Sequence, residues 1–393
     1  MNDVTVTVSG NVGIRYVETE NASRGFLRYP VNNYDFSSCD GLPGTLPPGA
    51  PVPEIPDPAQ CYLSPDDLAF ISGGGIESTA ERKHRHWLPS LNLRVDLSDT
   101  WLIRFAASRA MSRPDIGLLK NFLSISTGLP SPNNPDDPRW VRDGSGTVVG
   151  VNPTYEANAY NPYLKPTTAW QVDVSLENYF ADVGSFSLAL FWKQFDDYIQ
   201  YGSYETTVER DGIERSVFVR GPMNGEGATI KGFEVAYQRF FDFLPAPLDG
   251  LGVQTNYTYV DNTGVTNSNL TPVGSTGQTT NAGNAGTALN PDSLEGLSKH
   301  SFNLVGMYEK GPIAARLAYN WRSKYLVTAV DCCVYLPVWQ KAAGFLDGSI
   351  RFKATDNIEI SLQGSNLLNT KTKLMTQIAD EESPEGRIVL MPN

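Results

Sequence analysis

The chain has 393 residues, 40% of them hydrophobic and 19% charged, with a formal net charge of −12 and a pI near 4.8. A phosphate backbone needs a basic surface to neutralise it, so this balance excludes nucleic acid as a partner. Glycine (35), tyrosine (18), phenylalanine (17) and tryptophan (7) are plentiful, a mixture that suits strands, turns and exposed aromatics better than helices.

No apolar run reaches the roughly 18 to 20 residues of a membrane-spanning helix. The mean hydropathy of −0.27 does not by itself indicate solubility. A membrane β-barrel alternates lipid-facing and lumen-facing residues, so its average stays near that of a soluble protein. The opening stretch, Met1-Asn-Asp-Val-Thr-Val-Thr-Val8, has neither a basic n-region nor an apolar h-region, so an exported protein is expected to have lost its start.

In chain order, the first strand is followed by a long connection over 19–84, rich in Pro and Gly between Pro43 and Pro58. The next strand alternates clearly, with Trp87, Leu91, Leu93, Val95 and Leu97 on one face and Ser90, Asn92, Arg94 and Asp96 on the other. Trp101, Ile103, Phe105 and Ala107 repeat the pattern against Arg104, Ala106 and Ser108. So do Trp170, Val172, Val174 and Leu176, then Phe186, Leu188, Leu190 and Trp192. Further strands carry Phe233, Val235 and Tyr237; Val253, Tyr257 and Tyr259; Ile313, Leu317, Tyr319 and Trp321; Ile350 and Phe352; and Ile358, Ile360 and Leu362.

About eleven strands result, and the links between them alternate between short and long. Short turns fall at Ser98-Asp99, Asp182-Val183, Leu244 to Pro247, Lys310-Gly311 and Asp356-Asn357. Long loops span 19–84, 112–165, 200–227, 262–297, 325–342 and 369 to the end. Soluble sandwiches have no reason to gather every long loop at one end, whereas outer-membrane barrels do. Strands of about ten to sixteen residues also exceed the usual soluble length. The expected fold is therefore all-β, a transmembrane antiparallel β-barrel with long extracellular loops.

Several segments resemble the barrel of TonB-dependent receptors. They are Trp87 to Leu97, Arg104-Phe-Ala-Ala-Ser108, Met111-Ser-Arg-Pro114, Gly227 to Glu234, Asn256 to Asp261, Ser298 to Leu304 and Gly364-Ser-Asn-Leu-Leu-Asn369. Within the family, the chain looks most like the large receptors of sphingomonad, Caulobacter and Xanthomonas type, many of them associated with carbohydrate uptake. Family members carry an N-terminal plug with a TonB-contacting segment and end on a strand whose last residue is aromatic. This chain begins inside a strand and stops at Met391-Pro392-Asn393. The resemblance thus implies that residues 1–393 are a partial barrel domain, strands eleven to twenty-one of a 22-strand barrel, with the plug domain and closing strand absent. It also implies outer-membrane lipid, the TonB complex acting through the missing plug, and a small-molecule or oligosaccharide ligand as partners. Carbohydrate is the first expectation for the ligand and ferric siderophore the second. A soluble carbohydrate-binding β-sandwich remains the alternative of another class.

Loop aromatics offer flat apolar faces with polar tips, suited to stacking on sugar rings or siderophore arenes. The ligand-contact candidates are Trp140, Tyr155, Tyr160, Tyr163, Tyr335 and Trp339, with Tyr201 and Tyr204 of the same character. Packing within the loops or anchoring at the interface stands beside that reading. Trp101, Trp170, Trp192 and Trp321 are assigned to interface belts. Cys39 and Cys61 are placed to close a loop disulfide in an oxidising compartment. For the adjacent Cys332 and Cys333, a vicinal pair, bonds to other loops and free thiols all remain open.

No catalytic, cofactor or metal residue is expected, and the function read is that of a transporter rather than an enzyme. Gly144-Ser-Gly146 lacks the spacing of a nucleophile elbow, and Gly73-Gly-Gly75 lacks the context of a phosphate loop. His84 and His86 supply two ligands at most and read as the polar base of a loop entering the strand at Trp87. A barrel hydrolase would need one of His84, His86 or His300 to meet a Ser and an acid.

Overall fold

The computed structural model describes residues 6–31, 33–37, 39, 58–180, 183–225, 227–264, 293–328, 337–377 and 388–390. The first part of the chain forms β1 (Thr7–Arg28), α1 (Pro65–Phe70), β2 (Gly75–Asp96), β3 (Trp101–Ser112), β4 (Phe122–Gly128), β5 (Trp140–Arg142), β6 (Val148–Val151) and β7 (Thr154–Ala159). Next come β8 (Thr167–Phe180), β9 (Gly184–Asp196), β10 (Ile199–Arg210), β11 (Ile213–Asn224), β12 (Ala228–Phe240), β13 (Leu251–Thr263), β14 (His300–Lys310) and β15 (Ile313–Arg322). The last are β16 (Tyr325–Thr328), β17 (Val338–Gln340), β18 (Ala343–Thr355), β19 (Ile358–Gly364), β20 (Leu374–Gln377) and β21 (Ile388–Leu390).

Eleven strands of the fifteen-stranded main sheet follow in chain order as one antiparallel wall, β1-β2-β3-β8-β9-β12-β13-β14-β15-β18-β19. Directly paired residues share a face. The register therefore carries Leu93, Phe105, Val174, Leu190, Phe233 and Tyr259 around the wall in a single apolar row. The opposite face is polar and internally bonded. Asn92 meets Asn11 at 2.9 Å, Arg104 meets Glu177 at 3.0 Å, Gln171 meets Ser108 at 2.8 Å and Asn303 meets Asn256 at 2.8 Å. Leu190, Leu304, Leu317, Ile350 and Leu362 stand exposed on the apolar side. This is the sidedness of a wall between two different solvents.

Aromatics bound the apolar band. At the long-loop end Tyr16 pairs with Trp87 at 4.7 Å between ring centroids, and the exposed Trp170 and Trp192 share that face. Phe302 and Trp321 pair there as well. Trp101 lies at the short-turn end. From Trp87 to the end of β2 at Asp96 is about ten residues, the length a tilted strand needs to cross a bilayer core.

Beyond the aromatics the fold departs from the sequence reading. β1 and β2 run on as a two-stranded ribbon, 22 residues each, through much of what reads as loop 19–84. Apolar alternation stops at Tyr16 and Trp87 because charge takes over. Glu18 bonds Arg85 at 3.0 Å and Lys83 at 2.6 Å, and Arg24 pairs with Glu77. Wall strands accordingly span 7 to 22 residues rather than ten to sixteen. The expected loop 200–227 is a hairpin, β10–β11, turned by Asp211 (φ 50°) and Gly212 (φ 82°). Asp-Gly is a strong two-residue hairpin signal because both positions take positive φ. Loop 112–165 contributes β4 to β7, and the last two long loops contribute β16, β17, β20 and β21 to a separate small sheet.

The loop strands join the ribbon. β4 pairs in parallel with the top of β1, and β7, β11 and β10 continue from it. Beneath them lies a core of Tyr29, Phe70, Ile71, Ile125, Tyr155, Val217 and Val219. A Cys39–Cys61 disulfide, with Cα atoms 5.4 Å apart, lies in the same β1–β2 connection as α1. The sheet does not close on itself, and β10 and β19 are its edges.

Candidate functional site

Pairing between β2 and β3 ends at Ser90 opposite Ser108. The next β2 residue is Pro89, which has no N–H to give a ladder. Above that point the ribbon parts from β3, and the opening collects histidine and arginine side chains. His84 and His86 lie across β1 from Thr19 and Val17, and Arg113 Nε donates to Thr19 Oγ1 at 3.2 Å. Burial, reinforced by the charge of Arg109, holds the His86 imidazole below its ordinary range and so favours its neutral form. Asp197, the opposing charge, is bridged to Lys165 at 3.1 Å. Arg82 lies 4.6 Å over Tyr163, whereas Arg109 is paired with Trp170 and so stands on the apolar face, its guanidinium 5.7 Å from that ring.

Three nitrogens here, His84 Nε2, His86 Nε2 and Arg109 Nε, are buried without a hydrogen-bond partner. Unsatisfied buried polar atoms are costly and call for an explanation such as a ligand or water, and a neutral imidazole nitrogen can serve as donor or acceptor according to its tautomer. In a chain of net charge −12, the Arg82 and Arg113 guanidiniums beside these imidazoles and the open Tyr163 ring make this opening locally basic. The signal was present in the sequence as the alternating Arg82, His84 and His86, which a strand puts on one face.

Among the aromatic candidates the structure separates packing from presentation. Tyr155 is buried in the loop core with its hydroxyl on Asp67 at 3.0 Å. Trp140 is buried beside Ala59 and Val148, donating to the Asn134 carbonyl at 3.1 Å. Trp339 is buried with Leu326 and Met375, donating to Gln377 Oε1 at 2.7 Å. These three pack inside loops and have no free face for a ligand. Tyr160 is half-buried against Phe122 and under Lys120, and Tyr204 is partly buried against the loop core. Tyr163 is 49% exposed, the candidate that joins the cationic cluster. Tyr335, Cys332 and Cys333 lie outside the described residues, as does the side chain of Tyr201.

The three histidines do not converge. His300 sits on the apolar face of β14, its Nδ1 2.7 Å from the Tyr257 hydroxyl, far around the sheet from β2.

Near Trp140, the buried Arg139 donates two side-chain bonds to Asp137, at 3.0 and 2.8 Å, which hold the Asp137 carboxyl below its usual range. A lowered folded-state value means that the ion pair contributes stability above the unfolded value of about 3.9 and loses it as pH falls through the folded one. The expected result is that the Trp140 hairpin stays packed at pH 5 and opens only below about pH 3.9. The Trp140 emission, taken as the difference from a Trp140→Phe variant, should red-shift in that window. A red shift that begins nearer neutrality would refute the assignment.

An eleven-strand antiparallel wall with one apolar face, one polar face and all long connections at one end defines a segment of a large barrel. The family model for the β-barrel of TonB dependent receptor-like proteins matches residues 3–367, and the chain belongs to that family of outer-membrane barrels, whose members are transporters rather than enzymes. Among solved structures, the siderophore receptor PirA from Acinetobacter baumannii is similar at 15% identity and a TM-score of 0.48, over 82% of this chain and 42% of that one. A mutant of the ferric enterobactin receptor PfeA from Pseudomonas aeruginosa, in complex with enterobactin, is similar at 14% and 0.49, over 79% and 39%. The ferric yersiniabactin uptake receptor FyuA from Yersinia pestis is similar at 12% and 0.43, over 80% and 37%. The chain thus spans about two-fifths of the length of these proteins. No curated protein matches it.

Proposed function

We propose that the chain is barrel wall of an outer-membrane receptor that captures a scarce nutrient outside the cell and releases it inward when the TonB complex acts on a plug. The apolar face then meets outer-membrane lipid, and the polar face lines the passage. The ligand is an anionic chelate of the ferric-siderophore class rather than a neutral carbohydrate. One observation carries this choice: the Arg82 and Arg113 guanidiniums beside His84 and His86, whose Nε2 atoms are buried with no hydrogen-bond partner. A neutral sugar would be served by open aromatic platforms, yet three of the candidate platforms are packed away.

The test uses the full-length protein in detergent and follows tryptophan quenching on titration with a ferric tris-catecholate or with maltohexaose. The anionic chelate should bind, with affinity falling as salt rises. Arg82→Gln and Arg113→Gln should each weaken it roughly 10- to 100-fold, the scale of a lost charged hydrogen bond. Binding of maltohexaose that ignores both salt and these substitutions would reverse the choice in favour of carbohydrate.

A further inference from the structure

A trough of about 670 Å³ is sunk into the apolar face at the short-turn half of the wall, bounded by Phe241, Leu251, Leu317, Ile350, Leu362 and Leu367. Its origin is in the register. Arg239, Val253, Gly306, Leu317, Gly348 and Gly364 pair in succession across β12, β13, β14, β15, β18 and β19. Half of that row has no side chain. Leu317 and Leu367 lean over Gly348, and Leu367 over Gly364, but a Cβ added at Gly306 would meet nothing within 4 Å. The gap at Gly306 is therefore open.

The row also climbs. Arg239 stands beside the end of β12 at Phe240, whereas Gly348 lies near the middle of β18. Barrel strands tilt by about 35–45°, so a row perpendicular to them rises obliquely from the rim toward the middle of the wall. At roughly 4.8 Å per strand it extends about 24 Å.

At its foot is a cation with spare capacity. The Arg239 guanidinium lies over Phe243 at 4.8 Å and Phe180 at 5.6 Å. Its Nη2 is a loose 3.8 Å from Asp242, and its Nε is buried with no hydrogen-bond partner. Phe241 connects the two features, since it lines the trough and packs against Phe243 at 5.9 Å.

The geometry points to a seat for one phospholipid, its phosphate on Arg239 at the rim and one acyl chain laid along the trough over Gly306 toward Gly348. This rests on the reading of the apolar face as lipid-facing. Guanidinium suits phosphate because it offers paired donors and is weakly hydrated. An acyl chain suits the trough because its lining is mainly apolar, with Arg316, Ser349 and Gln363 as the polar members, and continuous with the rest of that face. Charge complementarity at one end and apolar continuity along the rest select a lipid over a second protein.

Native mass spectrometry of the full-length protein, released from nanodiscs of phosphatidylethanolamine and phosphatidylglycerol at 3:1 (about that ratio), reads the proposal directly. One phospholipid should survive activation that strips the others. Gly306→Phe should abolish its retention, and because the added side chain enters open space it should leave the heat-modifiable barrel intact. Arg239→Gln should reduce retention roughly fivefold, the scale of one interfacial cation, whereas Leu190→Phe elsewhere on the apolar face should not. Retention unaffected by Gly306→Phe, no lipid retained by a heat-modifiable barrel, or retained lipopolysaccharide in place of phospholipid would each overturn the seat. A protein that fails to enter nanodiscs at all would instead overturn the membrane reading beneath it.

Discussion

Replacing Asp67 with alanine is expected to destabilise the long-loop sheet by about 2–3 kcal/mol, the cost of taking a buried charged acceptor from its donors when one of them, Arg215, keeps some access to water, while the eleven-strand wall stays folded. Asp67 is 7% exposed on α1. It accepts from Tyr155 Oη at 3.0 Å, from Arg215 Nε at 2.8 Å and from Ser64 Oγ. One carboxylate therefore ties the β1–β2 connection to β7 and to β11, elements that reach the ribbon from three different connections. Burial, reinforced by the charge of Asp67, pushes the Tyr155 phenol well above its ordinary value, so it remains a donor at any physiological pH. Removing the carboxylate leaves that hydroxyl without its acceptor and Arg215 without its counter-charge in the same step. Hydrogen exchange should show faster exchange in β7 and β11 with β8 and β9 unchanged. Combining Asp67→Ala with Arg215→Met should recover part of the loss, because a buried pair removed whole costs less than one broken in half. Unchanged exchange in β7 would show that the apolar core alone holds the sheet.

The wall was readable because its physics is local. A strand with one apolar face writes period-two alternation into the sequence, as in Leu91, Leu93 and Val95, and tight turns such as Lys310-Gly311 mark its ends. The ribbon above Trp87 was not readable, since both of its faces meet polar surroundings and Lys83, Arg85, Glu18 and Glu20 remove the contrast that alternation needs. β10–β11 was legible in Asp211-Gly212, but its composition reads as loop when the turn is not weighed. The site was harder still. Arg113, just past β3, reaches Thr19, the β1 partner of His84, only because pairing between β2 and β3 stops at Ser90, a consequence of three-dimensional parting that no spacing rule encodes. Aromatic content named Tyr155, Trp140 and Trp339 as ligand contacts, yet the same flat apolar surface that would suit a sugar is what fills a loop core.

Leu190→Arg on the apolar face is expected to cost about 2–4 kcal/mol in folding into phospholipid vesicles, the penalty for a charge near the bilayer midplane. Leu190 is 53% exposed and lies between Val174 and Phe233 in the apolar row. In water, a substitution at so exposed a position would fall within about 0.5 kcal/mol of neutral. The size of the effect therefore reports the solvent on that face. Ala189→Arg is the matched control, one residue away but on the polar face, paired with Ser175 and Glu234. An arginine there enters a wet, charged surface with a carboxylate beside it, and its cost should stay near zero to about 1 kcal/mol. Urea titration of the full-length protein in vesicles, with heat-modifiability as the check of folding, gives both values. A large difference between neighbouring residues, with the penalty on the Leu190 side, requires lipid against one face of the wall and water against the other. Equal and small costs would mean water on both faces, and the soluble carbohydrate-binding sandwich would then be the reading to pursue.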